Sequence, residues 1–98
     1  MDESSVRADA QTHADATVAG DFKVAGSYLT SEAAAQAGGV MKQMPRDLNA
    51  CEVTTVQPAD DGYLVEIRYR GESGEAVVES RWADRDGAAK IVGLQVRS

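Results

Sequence analysis

Residues 61–98, DGYLVEIRYRGESGEAVVESRWADRDGAAKIVGLQVRS, read as three consecutive β-strands that share one apolar face. Within residues 63–70 the odd positions Tyr63, Val65, Ile67 and Tyr69 are apolar or aromatic, while Glu66, Arg68 and Arg70 fall on even ones. That period of two marks a half-buried strand, because successive side chains point to opposite faces. The next strand, residues 75–84, puts Ala76, Val78, Ser80 and Trp82 on one face and Glu75, Val77, Glu79 and Arg81 on the other. A turn through Gly71-Glu72-Ser73-Gly74 pairs Arg70 with Glu75, Ile67 with Val78, Val65 with Ser80 and Tyr63 with Trp82, so inward residues meet inward residues. After Asp84, the residues Arg85-Asp86-Gly87 suit a three-residue hairpin loop with glycine in the left-handed region. That loop predicts Val92 opposite Ser80, Leu94 opposite Val78 and Val96 opposite Ala76, and it leaves Ile91 on the outer face beside Arg81.

The 60 residues before this meander supply its cover. Ser4 or Ser5 can cap a helix running to about Val18, with Val6, Ala10, Ala14 and Thr17 on one face and His13 at its border. Arg7, Gln11 and Asp15 lie away from that face. The stripe is narrow and built of small residues, which permits close approach to a sheet or leaves room for a ligand. Gly20 ends this helix, and Asp21 caps a second one of one or two turns carrying Phe22, Ala25, Tyr28 and Leu29. Thr30 or Ser31 opens a third segment through Ala33, Ala34 and Ala37 to Met41 and Met44, which Pro45 stops. Gly38-Gly39 conflicts locally with helix, so a kink between two short helices is expected there. A first strand, residues 50–57, follows, and its register is open: Cys51, Val53 and Thr55 face inward, or Thr54 and Val56 do. Helices followed by four antiparallel strands define an α+β domain, with the helices on one face of a curved sheet.

The 98 residues suit one domain over residues 1–98, with a single core and room for a modest pocket at most. The net charge is −6, and residues 1–32 hold six acidic against two basic side chains. No basic stripe exists for neutralising phosphates, which argues against nucleic acid and anionic membranes as partners. Met1 to Ser5 offers no basic segment leading into an apolar run, no stretch has membrane-spanning length, and the single cysteine, Cys51, fits a reducing compartment, the cytoplasm. One cysteine and one histidine are too few soft ligands for a structural zinc, and no metal or cofactor is expected.

Two stretches resemble nuclear transport factor 2-like proteins, the superfamily that includes ketosteroid-isomerase-like and polyketide-cyclase-like members. One is the helix end Ala14-Asp15-Ala16-Thr17-Val18-Ala19-Gly20-Asp21-Phe22 followed by Tyr28-Leu29-Thr30. The other is the closing hairpin, Trp82 through Arg85-Asp86-Gly87 to Lys90-Ile91-Val92. The resemblance implies a cone: a sheet folded around the helices, with a pocket at the open end that in many members holds a small hydrophobic molecule. Many members are dimers. Members that move protons typically use an acidic residue at an inward strand position, helped by a tyrosine or a second acid.

The inward positions here are Tyr63, Val65, Ile67, Tyr69, Ala76, Val78, Ser80, Trp82, Val92, Leu94 and Val96, and none is a carboxylate. Glu66 and Glu79 face out, beyond reach of an enclosed substrate. His13 remains the one group suited to proton transfer near neutrality, against the plainer reading of a helix-border histidine with a polar neighbour. Candidate ligand contacts are His13, Thr17, Tyr28, Tyr63, Tyr69, Ser80 and Trp82, although inward aromatics are more often simply core because each buries a large apolar area. The expected function is a non-catalytic domain that binds a small apolar, neutral ligand, dimerises, or both. The dimer would form through the outer sheet face, where Leu64, Val77 and Ile91 stand among Glu66, Arg68, Glu79, Arg81, Gln95 and Arg97. The alternative is a small isomerase, cyclase or dehydratase-like enzyme using His13 with a tyrosine hydroxyl.

Overall fold

The computed structural model describes residues 1–97; Ser98, the last residue of the stretch quoted above, lies outside the described residues. Three helices, α1 (Glu3–Ala19), α2 (Phe22–Gly26) and α3 (Ser31–Lys42), precede four strands, β1 (Leu48–Ala59), β2 (Gly62–Gly71), β3 (Gly74–Arg85) and β4 (Ala88–Val96). The strands form one antiparallel sheet in the order β1-β2-β3-β4, an open meander with the helices laid on it. The fold is α+β.

The β2–β3 pairing is the one read from the alternation, with Tyr63 opposite Trp82, Val65 opposite Ser80 and Ile67 opposite Val78. Val65, Ile67, Tyr69, Ala76, Val78, Ser80 and Trp82 are all buried, whereas Arg70, Glu75 and Arg81 are exposed. The outer face is only partly solvated, since Glu66, Arg68, Val77 and Glu79 are half-buried. Arg97 ties part of it together, pairing with Glu66 and, at 3.6 Å, with Glu79.

The last hairpin corrects the expected register. Arg85 pairs with Ala88, so the turn has two residues, Asp86 at φ 56° and Gly87 at φ 85°. Positive φ at both central positions is the turn whose twist matches paired strands, and aspartate and glycine are residues that tolerate it. The tighter turn sets Ile91 opposite Trp82, so Ile91 points inward and is fully buried instead of standing on the outer face. A bulge between Arg81 and Trp82 then takes up Val92, and Leu94 meets Ser80 while Val96 meets Val78. One extra residue restores the parity that the shorter turn had inverted.

A second bulge resolves the first strand. Cys51 pairs with Tyr69 and Val53 with Ile67, but past the irregularity between Val53 and Thr55 it is Val56 that pairs with the inward Val65. Each of the two expected registers therefore holds for half of β1. Thr54, at the irregularity, donates its hydroxyl proton to the Glu66 carbonyl at 3.2 Å.

Helix α1 starts earlier than expected: Asp2, not Ser4 or Ser5, is the N-cap, accepting from the Ser5 amide at 2.8 Å while the Ser5 hydroxyl accepts from the Asp2 amide at 3.1 Å. Gly20 at φ 78° closes it, and Asp21 caps α2 through the Val24 amide. The α2–α3 connector is pinned to the sheet edge: the Ile91 amide donates to the Tyr28 carbonyl at 2.7 Å and the Thr30 amide to the Ile91 carbonyl at 2.9 Å. Gln36 of α3 accepts from the Leu94 amide at 2.7 Å, so β4 is covered rather than left as a free edge.

Helix α3 runs unbroken through Gly38-Gly39 where a kink was expected. Packing overrides propensity, because Ala33 and Val40 on either side of the pair are buried. A Cβ at Gly39 would meet open space. Gly39→Ala is therefore expected to stabilise the protein by about 0.5–1 kcal/mol, seen as a higher urea midpoint with an unchanged slope.

Candidate functional site

The helices do not fill the sheet face completely. Where α1 ends its buried face carries Thr17, α2 presents Ala25 and α3 presents Ala37, side chains too short to close the gap to β2, β3 and β4. A cavity of about 190 Å³ remains, walled by Ala25, Leu29, Ala37, Val40 and Met44 from the helical layer and by Tyr69, Val78 and Leu94 from the sheet. Phe22 and Met41 stand at its rim, 58% and 40% exposed, large apolar side chains that a filled core would have buried.

Among the residues expected at a ligand, the cavity brings together His13, Thr17 and Tyr69. The others lie elsewhere. Trp82 is sealed in the core, its indole N–H donating to Ser80 Oγ at 2.9 Å, and the Ser80 hydroxyl donates to the Val65 carbonyl at 3.3 Å. Tyr63 is half-buried at the end of β2, opposite Pro58 and Trp82. Tyr28 stacks edge-on against both His13 and Trp82, with ring centroids 5.9 and 5.6 Å away, and its outer side lines a surface groove near Lys90. The α2 and α3 residues of the wall were not singled out from the sequence, although Ala37, Val40, Met41 and Met44 follow the i, i+3, i+4, i+7 spacing of one helical face.

His13 is buried, and its Nδ1 lies 2.9 Å from the Ala25 carbonyl oxygen, which fixes the ring between α1 and α2. Burial pushes its pKa below the ordinary histidine range, and the Ala25 carbonyl offsets part of that shift. Tyr69 is held far above the ordinary phenol range, first by burial, with the Thr17 hydroxyl pulling partly back. Both groups are thus neutral at physiological pH. Among the described residues the wall carries no carboxylate, lysine or arginine.

The depressed His13 pKa has a sign. Unfolding returns the ring to about 6.5, so above that pH both states are neutral and the native advantage is complete. As pH falls below about 6.5 the unfolded chain takes up the proton first, and stability declines until pH passes the lower native pKa. The charged forms of Asp2 and Asp47 are favoured by their hydrogen bonds, so their titration lies further down. Between pH 7 and 5.5, urea midpoints are expected to fall for the wild type and to fall less for His13→Gln; parallel slopes would contradict this assignment.

Cys51 is a different kind of site. Its thiol donates to the Asp15 carboxylate at 3.3 Å, and Gln11 approaches both groups, at 3.8 Å from the sulfur and 2.8 Å from the carboxylate. Burial, then Asp15, raises the thiol pKa to about 11, which suppresses the thiolate a nucleophile needs. Among the described residues no group of three or more His, Cys, Asp or Glu could hold a metal ion, and no helix is long and apolar enough to cross a membrane.

Fold and site together define an α+β domain built around a small, neutral, largely apolar cavity. No family model matches this chain, and neither a curated protein nor a solved structure matches it.

Proposed function

We propose that this chain is a small ligand-binding domain of the nuclear transport factor 2-like type, holding one small, apolar, uncharged molecule between its helices and its sheet. The observation that carries the reading is the cavity of about 190 Å³, apolar except at His13, Thr17 and Tyr69. An engineered apolar cavity of about 150 Å³ accepts benzene, so the space suits a body of one ring. A charged ligand would lose its hydration with no ion partner among the described residues of the wall. The exposed Phe22 and Met41 at the rim give an apolar entrance.

Titrating p-xylene into the protein while following the methyl signals of Leu29, Val40 and Met44 by NMR tests the reading. Saturable shifts at these methyls are expected, with a stability gain of about 2.7 kcal/mol when the ligand stands at a hundred times its Kd. Methyls that stay unmoved up to the solubility of the probe would end it. The reading also includes self-association through the outer sheet face, now centred on Leu64 and Val77 without Ile91 and rimmed by the Arg97, Glu66 and Glu79 pairs. Sedimentation at micromolar concentration, with Val77→Lys as the disrupting variant, decides it. A reducing compartment such as the cytoplasm suits the unpaired Cys51 thiol.

One observation supports the enzyme alternative, in which His13 acts as a base beside a tyrosine hydroxyl: the buried imidazole and the Tyr69 phenol line the same cavity. Solvent deuterium entering a bound carbon acid, and lost in His13→Gln, would establish that reading over simple binding.

A further inference from the structure

Two of the three polar side chains at the cavity, His13 and Thr17, have committed their protons elsewhere. His13 Nδ1 sits 2.9 Å from the Ala25 carbonyl oxygen, and a carbonyl only accepts, so Nδ1 carries the ring hydrogen. No carboxylate pairs with the imidazole among the described residues, and its ring neighbours are Tyr28 and Trp82, both edge-on and uncharged. A neutral imidazole has one N–H, which leaves Nε2 a bare lone pair. Nε2 makes no hydrogen bond to protein among the described residues. Yet it is not sealed in, since the one sealed and unpartnered side-chain nitrogen or oxygen among them is Nε of Arg68.

Thr17 repeats the arrangement one helical turn later. Its hydroxyl donates back to the His13 carbonyl at 2.9 Å, so only lone pairs of its oxygen remain for the cavity. Tyr69, which lines the same cavity, can both donate and accept. At His13 and Thr17 the cavity therefore meets an incoming molecule with acceptors.

We infer that the cavity is a site for a small lipophilic molecule carrying one hydrogen-bond donor, a phenol or an alcohol rather than a carbonyl compound or an ether, with that donor directed at His13 Nε2. The inference rests on the reading of the cavity as a ligand site and adds the polarity of the ligand's one handle. A hydroxyl group supplies the proton that Nε2 lacks. A carbonyl oxygen would face the lone pairs of Nε2 and Thr17 out of water, with only the Tyr69 proton to share, and a dry polar atom left unmatched is what makes such sites selective.

Three probes of one shape separate the outcomes: p-cresol has a donor, p-tolualdehyde only an acceptor, and p-xylene neither. All are titrated into the wild-type chain, so no variant has to fold. The expected result is p-cresol binding at least about tenfold tighter than p-tolualdehyde, with the ¹⁵N signal of His13 Nε2 moving on p-cresol addition and Nδ1 staying in place. If p-tolualdehyde binds as tightly as p-cresol, or p-cresol leaves Nε2 unmoved while p-xylene still shifts the Leu29 and Val40 methyls, the donor inference is overturned and the ligand site stands. If no probe shifts those methyls, both fall together.

Discussion

Replacing Trp82 by alanine is expected to remove about 3–5 kcal/mol of stability, the largest loss from any single truncation in this chain. Trp82 is 0% exposed and is the largest of the fully buried side chains. It lies at the crossing of β3 with α1 and the α2–α3 connector, stacked edge-on against Tyr28 and, at 6.3 Å, against His13. Alanine would leave a void and would also strip Ser80 Oγ of the indole donor it receives at 2.9 Å. Small domains hold only about 5–15 kcal/mol in total, so the variant should be near the edge of folding, with a melting temperature lower by some tens of degrees. Trp82→Phe keeps a ring in place and gives up the N–H donor, and a cost of about 1–2 kcal/mol is expected. Urea denaturation of the three proteins checks the order. A loss below about 1.5 kcal/mol for Trp82→Ala would mean that the core collapses into the space, and that His13 does not depend on the indole for its position.

Much of this fold was legible because strand parity is a two-fold signal with little room for error. In β2 and β3, a slip of one residue would turn Ile67 and Val78 outward and bring Arg68 and Val77 in, so the alternation alone specified the pairing. Parity fails where a bulge intervenes. Both registers of β1 were visible, yet nothing in the run Val53-Thr54-Thr55-Val56 says that the strand changes from one to the other midway. At the last hairpin, Arg85-Asp86-Gly87 fits a two-residue turn as well as a three-residue one. The choice decides whether Ile91 or Val92 enters the core, and the core takes Ile91 because only that register sets it against Trp82.

The site was less legible, for a physical reason. Helical spacing places Val6, Ala10, Ala14 and Thr17 toward the sheet with His13 at the border of that face, and the structure keeps all five buried. What spacing does not report is the distance between layers. A cavity is the difference between the volume enclosed and the volume of the side chains, and here that difference depends on where Gln36 and the Ile91 hydrogen bonds anchor α3 and the connector on β4. Inward aromatics such as Trp82 and Tyr69 look alike in the sequence. Their roles separate only when the helices are in place, Trp82 under α1 in the core and Tyr69 under the gap.

The second large effect is expected at a position with no side chain at all. Gly62 opens β2 directly after the Asp60-Asp61 turn and pairs with Ala59 on one side and Ala83 on the other. A Cβ built there would fall onto the Trp82 carbonyl oxygen, with the Trp82 carbonyl carbon at 3.0 Å and the Ala83 Cα at 3.2 Å. These are backbone atoms inside a three-strand ladder and have no rotamer by which to escape. Gly62→Ala is therefore expected to cost about 3 kcal/mol, although the substitution is small and lowers the entropy of the unfolded chain. Gly39→Ala, the same change in open space, should move stability the other way, and the opposite signs isolate the clash from any general effect of alanine. The displacement would pass to Trp82 through its own backbone, so the His13 ring signals should shift in Gly62→Ala and stay fixed in Gly39→Ala. A Gly62→Ala protein of wild-type stability with unmoved His13 signals would show that the β2–β3 crossing yields easily, and that the approach of these two strands is not what positions Trp82 beside the His13 ring.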